Sequence, residues 1–196
     1  VGATEQHGPN LATGTDTVSP EATAWRVSAL TGAVVLPALP YGLSLGHTDQ
    51  WPGTLSLHPR TLTQVAVEIG RWVVASGFRR LIILSGNGPN QPPLDSARLQ
   101  LRHEFPQCRF RFLSLFDVSE RVKKAYAGDA PDFHANRAET ALLMHLRPEM
   151  ARPGKEVVQL YLRDPIASVV VPVQRLRGFD KLALAPGETR TARFTL

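Results

Sequence analysis

The chain has 196 residues, of which 43% are hydrophobic and 20% charged; this composition suits one globular domain with a small addition and excludes a wholly disordered chain. Its longest apolar runs are too short to span a bilayer, so we expect no membrane partner. The net charge of +5 lies outside residues 1–60, where four acidic residues outnumber two basic ones; because no aromatic-interleaved basic stripe accompanies it, we expect no nucleic-acid partner.

The first third of the chain is predicted to hold two helices, joined by a short strand and a long loop. The Ser-Pro pair at 19–20 predicts the start of a helix that ends at Gly32. A short buried strand is expected at 33–36, followed by a loop over 37–53 that is rich in Pro and Gly. Apolar residues at helical spacing predict the second helix over 61–76.

The middle of the chain alternates strand and helix. The predicted elements are strands at 81–84 and 109–115 and helices at 94–104, 118–125 and 137–145. This alternation predicts an α/β layered fold with a mainly parallel central sheet. Because ligands bind at the C-terminal ends of parallel strands, chemistry is expected in the loops 5–16 and 85–90. Trp25 and Trp72 lie at helical positions among apolar residues, so we expect both in the core.

The pattern changes near residue 150, which we take as the boundary between a domain at 1–150 and a short β segment at 151–196. Turn signals separate apolar stretches in this tail, and no helical spacing is found there. The predicted strands lie at 157–162, 168–173, 181–184 and 189–196. The tail is therefore predicted to be an antiparallel β segment.

The densest polar cluster lies at the beginning of the chain. Glu5 and His7 flank one residue, so an extended backbone points both side chains the same way, and Asp16 adds a second carboxylate. This set suits a divalent ion such as Zn or Mn, although a solvated loop explains the same residues. The single cysteine, Cys108, excludes a thiolate zinc cluster, and low cysteine use fits a cytoplasmic location.

Three further residues are candidates for the site. His134 precedes a predicted helix that carries Glu139 in its first turns. The histidine is either part of a cap and dipole arrangement or a general acid/base beside a metal ligand, and the local pattern does not separate these. His47 and Trp51 lie on the long loop, where they can line a substrate pocket.

Several motifs in register resemble the creatininase family of amidohydrolases. They are VGATEQHGP at 1–9 with GTD at 14–16, GLSLGH at 42–47, PGTLSL at 52–57, GFRRL at 77–81 and DFHANRAET at 132–140. The resemblance covers residues 1 to about 150, and the opening is most similar to the creatininase-like peptidases of mycofactocin maturation. It also implies that the family's first strand would precede Val1.

This resemblance implies a dinuclear metal hydrolase with a layered α/β fold and a homo-oligomeric assembly. Glu5 and His7 would each bind one ion, Asp16 would bridge both, and Glu139 would complete the second position. The implied substrates are small cyclic or linear amides and peptides, with His134 passing a proton to the leaving nitrogen.

The chain departs from the family pattern in two places. The family's Asn-Gly-His-Gly-Gly-Asn loop is SGNGPN at 85–90, so that Asn87 stands where a histidine ligand is expected and Pro89 stiffens the loop. Asn10 also replaces the histidine usual in the opening motif. Because an amide oxygen is a poorer zinc ligand than imidazole, we expect a weakened site that holds one or two ions. The alternative is a non-catalytic hybrid or degenerate member of the family.

The tail carries a separate resemblance, to the fibronectin type III-like domain of family-3 glycoside hydrolases. The matching stretches are GKEVVQLYLRDP at 154–165, LRGFDK at 176–181 and LAPGET at 184–189. Because this tail is shorter than a complete β-sandwich, we hypothesise a hybrid of a creatininase-like segment and part of such a module.

Overall fold

A computed structural model describes residues 1–127, 134–152, 154–162, 175–184 and 188–195. Within these ranges the helices are α1 (Thr15–Thr31), α2 (Pro59–Ala75), α3 (Gln91–Glu104), α4 (Glu120–Ala127) and α5 (Arg137–Leu146). The strands are β1 (Arg80–Ser85), β2 (Arg109–Ser114), β3 (Gly154–Leu162) and β4 (Arg175–Leu184). None of these helices combines the length and apolar character needed to cross a bilayer.

The central feature is a parallel pair of strands connected through a helix. β1 and β2 run parallel, with Arg80 opposite Arg109 and Ser85 opposite Ser114, and α3 forms the crossover between them. Phe110 and Phe112 alternate with exposed arginines along β2, so one face of the sheet is apolar. The α/β layered fold with a parallel sheet is thus confirmed.

The main core lies between this sheet and the helix pair α2 and α3. Its buried side chains are Ala66, Val67, Leu94, Ala97, Leu101, Cys108, Phe110 and Phe112. The two helices are also joined at their edges, where Thr63 Oγ1 donates to the Pro93 carbonyl at 3.1 Å and Arg71 forms a bidentate pair with Glu104. The predicted helices α2 to α5 and both sheet strands are confirmed to within a few residues.

Helix α1 begins earlier than the sequence predicts. The Ser-Pro pair at 19–20 was expected at its start, but the helix begins at Thr15 and Pro20 is its sixth residue. Proline cannot donate the backbone hydrogen bond that would reach the Asp16 carbonyl, and that carbonyl instead lies against Gly86, where an added Cβ would be 2.1 Å from it. The early start places Asp16 in the first turn, facing the end of β1.

Three predictions about apolar residues are wrong. Residues 33–36 form no strand, and Val34 is 70% exposed; a strand needs a bonded neighbour, and none of the described strands pairs with this segment. Trp25 and Trp72, expected in the core, are 57% and 74% exposed. Their helices bury other faces, against α5 for α1 and against α3 for α2.

The tail begins with a separate pair of antiparallel strands. β3 pairs with β4 from Gly154–Leu184 to Leu162–Arg175, with a register shift at Leu160. The stretch predicted as a strand at 168–173 lies outside the described residues, and 189–195 forms no strand. A backbone bridge between Leu11 and Ala151 connects the start of the tail to the first loop.

Candidate metal centre

The opening segment lies against the C-terminal end of β1, which is where a parallel sheet presents ligands. The backbone nitrogen of Val1 donates to the Leu84 carbonyl at 2.7 Å, and Gly86 donates to the Val1 carbonyl at 3.0 Å. Farther along, Glu5 donates its backbone N–H to the Thr13 carbonyl at 3.0 Å. These bonds fix the backbone from which Glu5 and His7 extend.

Glu5, His7 and Asp16 form a buried cluster, and each side chain is less than 5% exposed. His7 Nδ1 lies 3.1 Å from the Glu5 backbone carbonyl, which can only accept, so Nδ1 carries the proton. The other ring nitrogen, His7 Nε2, lies 3.1 Å from Asp16 Oδ1. The carboxylate of Glu5 accepts a hydrogen bond from Thr48 Oγ1 at 3.0 Å.

The electrostatics of this cluster favour a bound cation. Burial raises the pKa of Asp16 to about 7, against the opposing effect of His7. Burial disfavours the charged form of His7, but the hydrogen bond and charge of Asp16 outweigh it and raise the pKa of His7 to about 9. Asp16 Oδ2 is buried and has no hydrogen-bond partner among the described residues. Buried carboxylates need compensating charge, so this donor set fits a divalent ion.

Glu139 reaches the same region from α5 and is 5% exposed. Its Oε2 accepts from the Asn136 backbone N–H at 3.3 Å, and the Asn136 side chain accepts from the Glu139 backbone N–H at 3.0 Å. This capping box begins the helix, so Asn136 rather than His134 is the cap. Glu139 Oε1 accepts from the Tyr126 hydroxyl at 2.5 Å.

Two further histidines complete the cluster. His134 Nε2 lies 2.6 Å from the Gln6 carbonyl, and its Nδ1 lies 3.4 Å from Glu5 Oε1. His47 Nδ1 lies 3.5 Å from Glu5 Oε2. The ring of His134 lies between the other two, 4.3 Å from that of His7 and 4.6 Å from that of His47. Trp51 lies farther along the same loop as His47 and is 48% exposed.

Three overlapping sets of side chains in the described part of the chain can hold a metal ion, with ligand atoms within 4.8 Å of one another. They are Glu5, His7 and Asp16; His7, His134 and Glu139; and Glu5, His47 and His134. All of the residues singled out in the sequence as metal ligands, together with His134 and His47, are therefore brought together.

The loop after β1 has a structural function in this chain. Asn87 Nδ2 donates to the Leu43 carbonyl at 2.8 Å. Asn90 accepts from the Leu43 N–H at 2.7 Å and donates to the Gly2 carbonyl at 2.9 Å. Both amides thus join the loop to neighbouring backbone segments.

Sequence reasoning missed Thr48 and Tyr126, which hold the carboxylates of Glu5 and Glu139. Thr48 is 43 residues from Glu5, so no local pattern links the two. The one signal for Thr48 in the sequence is that it directly follows the candidate residue His47.

Comparison with known proteins identifies relatives over most of the chain. A model of the family described as "Creatininase: Creatinine amidohydrolase" matches residues 1–181, past the boundary predicted near residue 150. The mycofactocin precursor peptide peptidase of Mycolicibacterium smegmatis is 34% identical, over 76% of this chain and 57% of its own length. Creatinine amidohydrolase of Pseudomonas putida is 31% identical, over 76% of this chain and 64% of its own length. The chain thus spans about three fifths of the length of these relatives.

Solved creatininase structures share the fold. The crystal structure of creatinine amidohydrolase (creatininase) superposes with a TM-score of 0.69 at 28% identity, covering 76% of this chain and 64% of that one. A mutant creatininase of "Zn-Zn type" matches with a TM-score of 0.69 at 27% identity over 88% of this chain and 72% of that one, and "Creatininase Mn" with 0.69 at 26% over 87% and 71%.

A further match is partial. The probable beta-glucosidase J of Aspergillus fumigatus is 50% identical over 110 residues, which is 54% of this chain and 11% of that protein. A match of this length extends beyond the tail that follows residue 150. On the family model and the relatives together, the chain belongs to the creatininase family.

Proposed function

We propose that this chain is a metal-dependent hydrolase that cleaves a C–N amide bond in a small cyclic or linear amide or a peptide. The observation that carries the proposal is the buried cluster of Glu5, His7 and Asp16, whose ligand atoms lie within 4.8 Å of one another. The relatives named as a creatinine amidohydrolase and as a peptide peptidase support this reaction class.

The cofactor that we propose is a divalent ion, Zn or Mn, as named for two similar creatininase structures. His7 and Glu139 would hold one ion and Glu5 the other, with Asp16 shared between them. Such ions, when bound, polarise a carbonyl and lower the pKa of water so that it attacks at neutral pH.

The surrounding residues would position the substrate and move the proton. The Gln6 carbonyl can only accept, so His134 carries a proton on Nε2 and its Nδ1 faces Glu5. This geometry would suit His134 for passing a proton to the leaving nitrogen. Trp51, which is 48% exposed on the same loop as His47, would contact substrate.

We further propose that the two metal positions differ in affinity. The amide nitrogen of Asn87 is used by the Leu43 carbonyl, and a neutral amide oxygen is a weak substitute for imidazole. The ion held by Glu5 is therefore the more weakly bound.

A second candidate is a non-catalytic member of the family. It is favoured by Glu139, both of whose oxygens already accept hydrogen bonds, from Tyr126 and from Asn136. The two-domain division, the homo-oligomeric state and the cytoplasmic location stay predictions.

The experiment that separates the two candidates compares amide hydrolysis by the Asp16→Asn and Asp117→Asn variants. Zn- or Mn-loaded protein is assayed on creatinine, simple cyclic and linear amides and short peptides, with released amine as the readout. We expect hydrolysis of at least one class, a loss of about 100-fold in Asp16→Asn because the shared ligand is weakened, and no loss in the exposed control Asp117→Asn. Absence of turnover by a metal-loaded wild type on the whole panel would favour the non-catalytic candidate.

A further inference from the structure

We propose that His47 is a metal ligand in this chain and supplies the imidazole that the loop after β1 lacks. The inference rests on the proposed function, because it concerns the ion that Glu5 is proposed to hold. It assigns to His47 a contact with metal in place of the substrate contact expected from the sequence.

The distance between His47 and Glu5 suits two ligands of one ion better than a hydrogen bond. His47 Nδ1 lies 3.5 Å from Glu5 Oε2, whereas a charge-assisted N–H···O bond has a length of about 2.7–2.9 Å. Two ligands in a tetrahedral zinc site, each bonded at about 2.0–2.1 Å, are separated by about 3.4 Å. The observed separation therefore leaves room for a cation that both atoms contact.

The environment of His47 Nδ1 also favours metal binding. His47 Nδ1 is buried and has no hydrogen-bond partner within the described ranges, although the side chain as a whole is 39% exposed. A buried nitrogen facing a carboxylate needs a proton or a cation between them. Because part of the His47 ring is exposed, an ion bound beside it would remain accessible from solvent, as the ion of a catalytic site must be.

The loop that carries His47 is fixed on the same carboxylate. Thr48, the next residue, donates its hydroxyl to Glu5 Oε2 at 3.0 Å, and His47 donates its backbone N–H to the Ser44 carbonyl at 3.2 Å. The imidazole is therefore held beside Glu5 by its own backbone, whereas the side chain of Asn87 is directed to the Leu43 carbonyl. Glu5, His47 and His134 offer ligand atoms that all lie within 4.8 Å of one another, so the space beside Glu5 is lined by one carboxylate and two imidazoles.

The test is the number of zinc ions per chain in His47→Gln and in the matched control His103→Gln, whose histidine is exposed on α3. Each protein is loaded with Zn, desalted and analysed for bound metal, and the affinity is measured by competition with a chromophoric chelator. We expect His47→Gln to lose one ion per chain, or to bind it at least 10-fold more weakly, while His103→Gln equals the wild type. We also expect Asn87→His, added to His47→Gln, to restore the lost ion.

The outcomes are distinct. Equal metal content and affinity in His47→Gln and wild type, with only KM changed, would overturn this inference and return His47 to substrate contact, leaving the proposed function intact. A wild-type chain that binds no zinc would instead contradict the proposed function. A double variant that does not fold leaves the His47→Gln comparison decisive.

Discussion

At the scale of single residues, the placement of Asp16 depends on two neighbours that carry no catalytic chemistry. Pro20 leaves the Asp16 carbonyl without its helical donor, and Gly86 lets that carbonyl approach the end of β1. Both neighbours thus contact the first turn of α1, which carries the candidate ligand Asp16.

This contact predicts the effect of a methyl group at residue 86. An alanine Cβ there would be 2.1 Å from the Asp16 carbonyl and 2.8 Å from Pro20 Cδ, whereas one at Gly88 meets nothing within 4 Å. We expect Gly86→Ala to lower the free energy of unfolding by about 1–3 kcal/mol and to weaken zinc binding, while Gly88→Ala does neither. Urea denaturation measures the free energy of unfolding, and zinc titration measures the zinc affinity. Equal values for Gly86→Ala and Gly88→Ala would show that the close approach at Gly86 is unimportant.

Tyr126 is a second residue whose effect can be predicted. Burial, together with the charge of Glu139, raises the pKa of its hydroxyl, so that it remains a donor at neutral pH. We expect Tyr126→Phe to destabilise the metal-free protein by about 1.5–3 kcal/mol, as for a hydrogen bond to a charged group. The 45%-exposed Tyr41 provides the control, Tyr41→Phe. Equal unfolding free energies for Tyr126→Phe and wild type would refute this assignment.

The sequence predicted the candidate ligand residues but not the groups that bond to them. Glu5 and His7 could be paired because they lie two positions apart on one extended segment. Thr48 and Tyr126 bond to Glu5 and Glu139 through tertiary contacts, 43 and 13 residues away along the chain. Such contacts leave no periodic or spacing signal in the sequence.

At the scale of elements, the helix pair α2 and α3 and the sheet form the support of the site. Leu101 on α3 is fully buried between them, whereas Leu99 on the same helix is 60% exposed. We expect Leu101→Ala to lower the free energy of unfolding by about 2–5 kcal/mol and Leu99→Ala by less than about 0.5 kcal/mol. Chemical denaturation measures both, and similar losses would place the core elsewhere.

Elements were predictable where a local pattern decides them. A continuous apolar run predicted β1, an alternating pattern predicted β2, and helical spacing predicted α2. The start of α1 was wrong because proline is favoured in a first turn but is tolerated here inside the helix. The strand at 33–36 was wrong because an apolar run becomes a strand only beside a bonding partner.

At the scale of the whole molecule, large apolar side chains remain exposed on α1 and α2. Trp25, Leu30 and Trp72 are between 57% and 86% exposed. Exposed apolar surface of this kind is typical of interfaces, and the homo-oligomeric state stays a prediction. The chain also spans only about three fifths of the length of its curated relatives.

We propose that this chain holds divalent metal between its opening segment, α1 and α5. The most direct measurement is elemental analysis of protein purified without chelators and then saturated with zinc. We expect two zinc ions per chain, one bound more weakly than the other. A chain that is folded by circular dichroism and yet binds no zinc would contradict it.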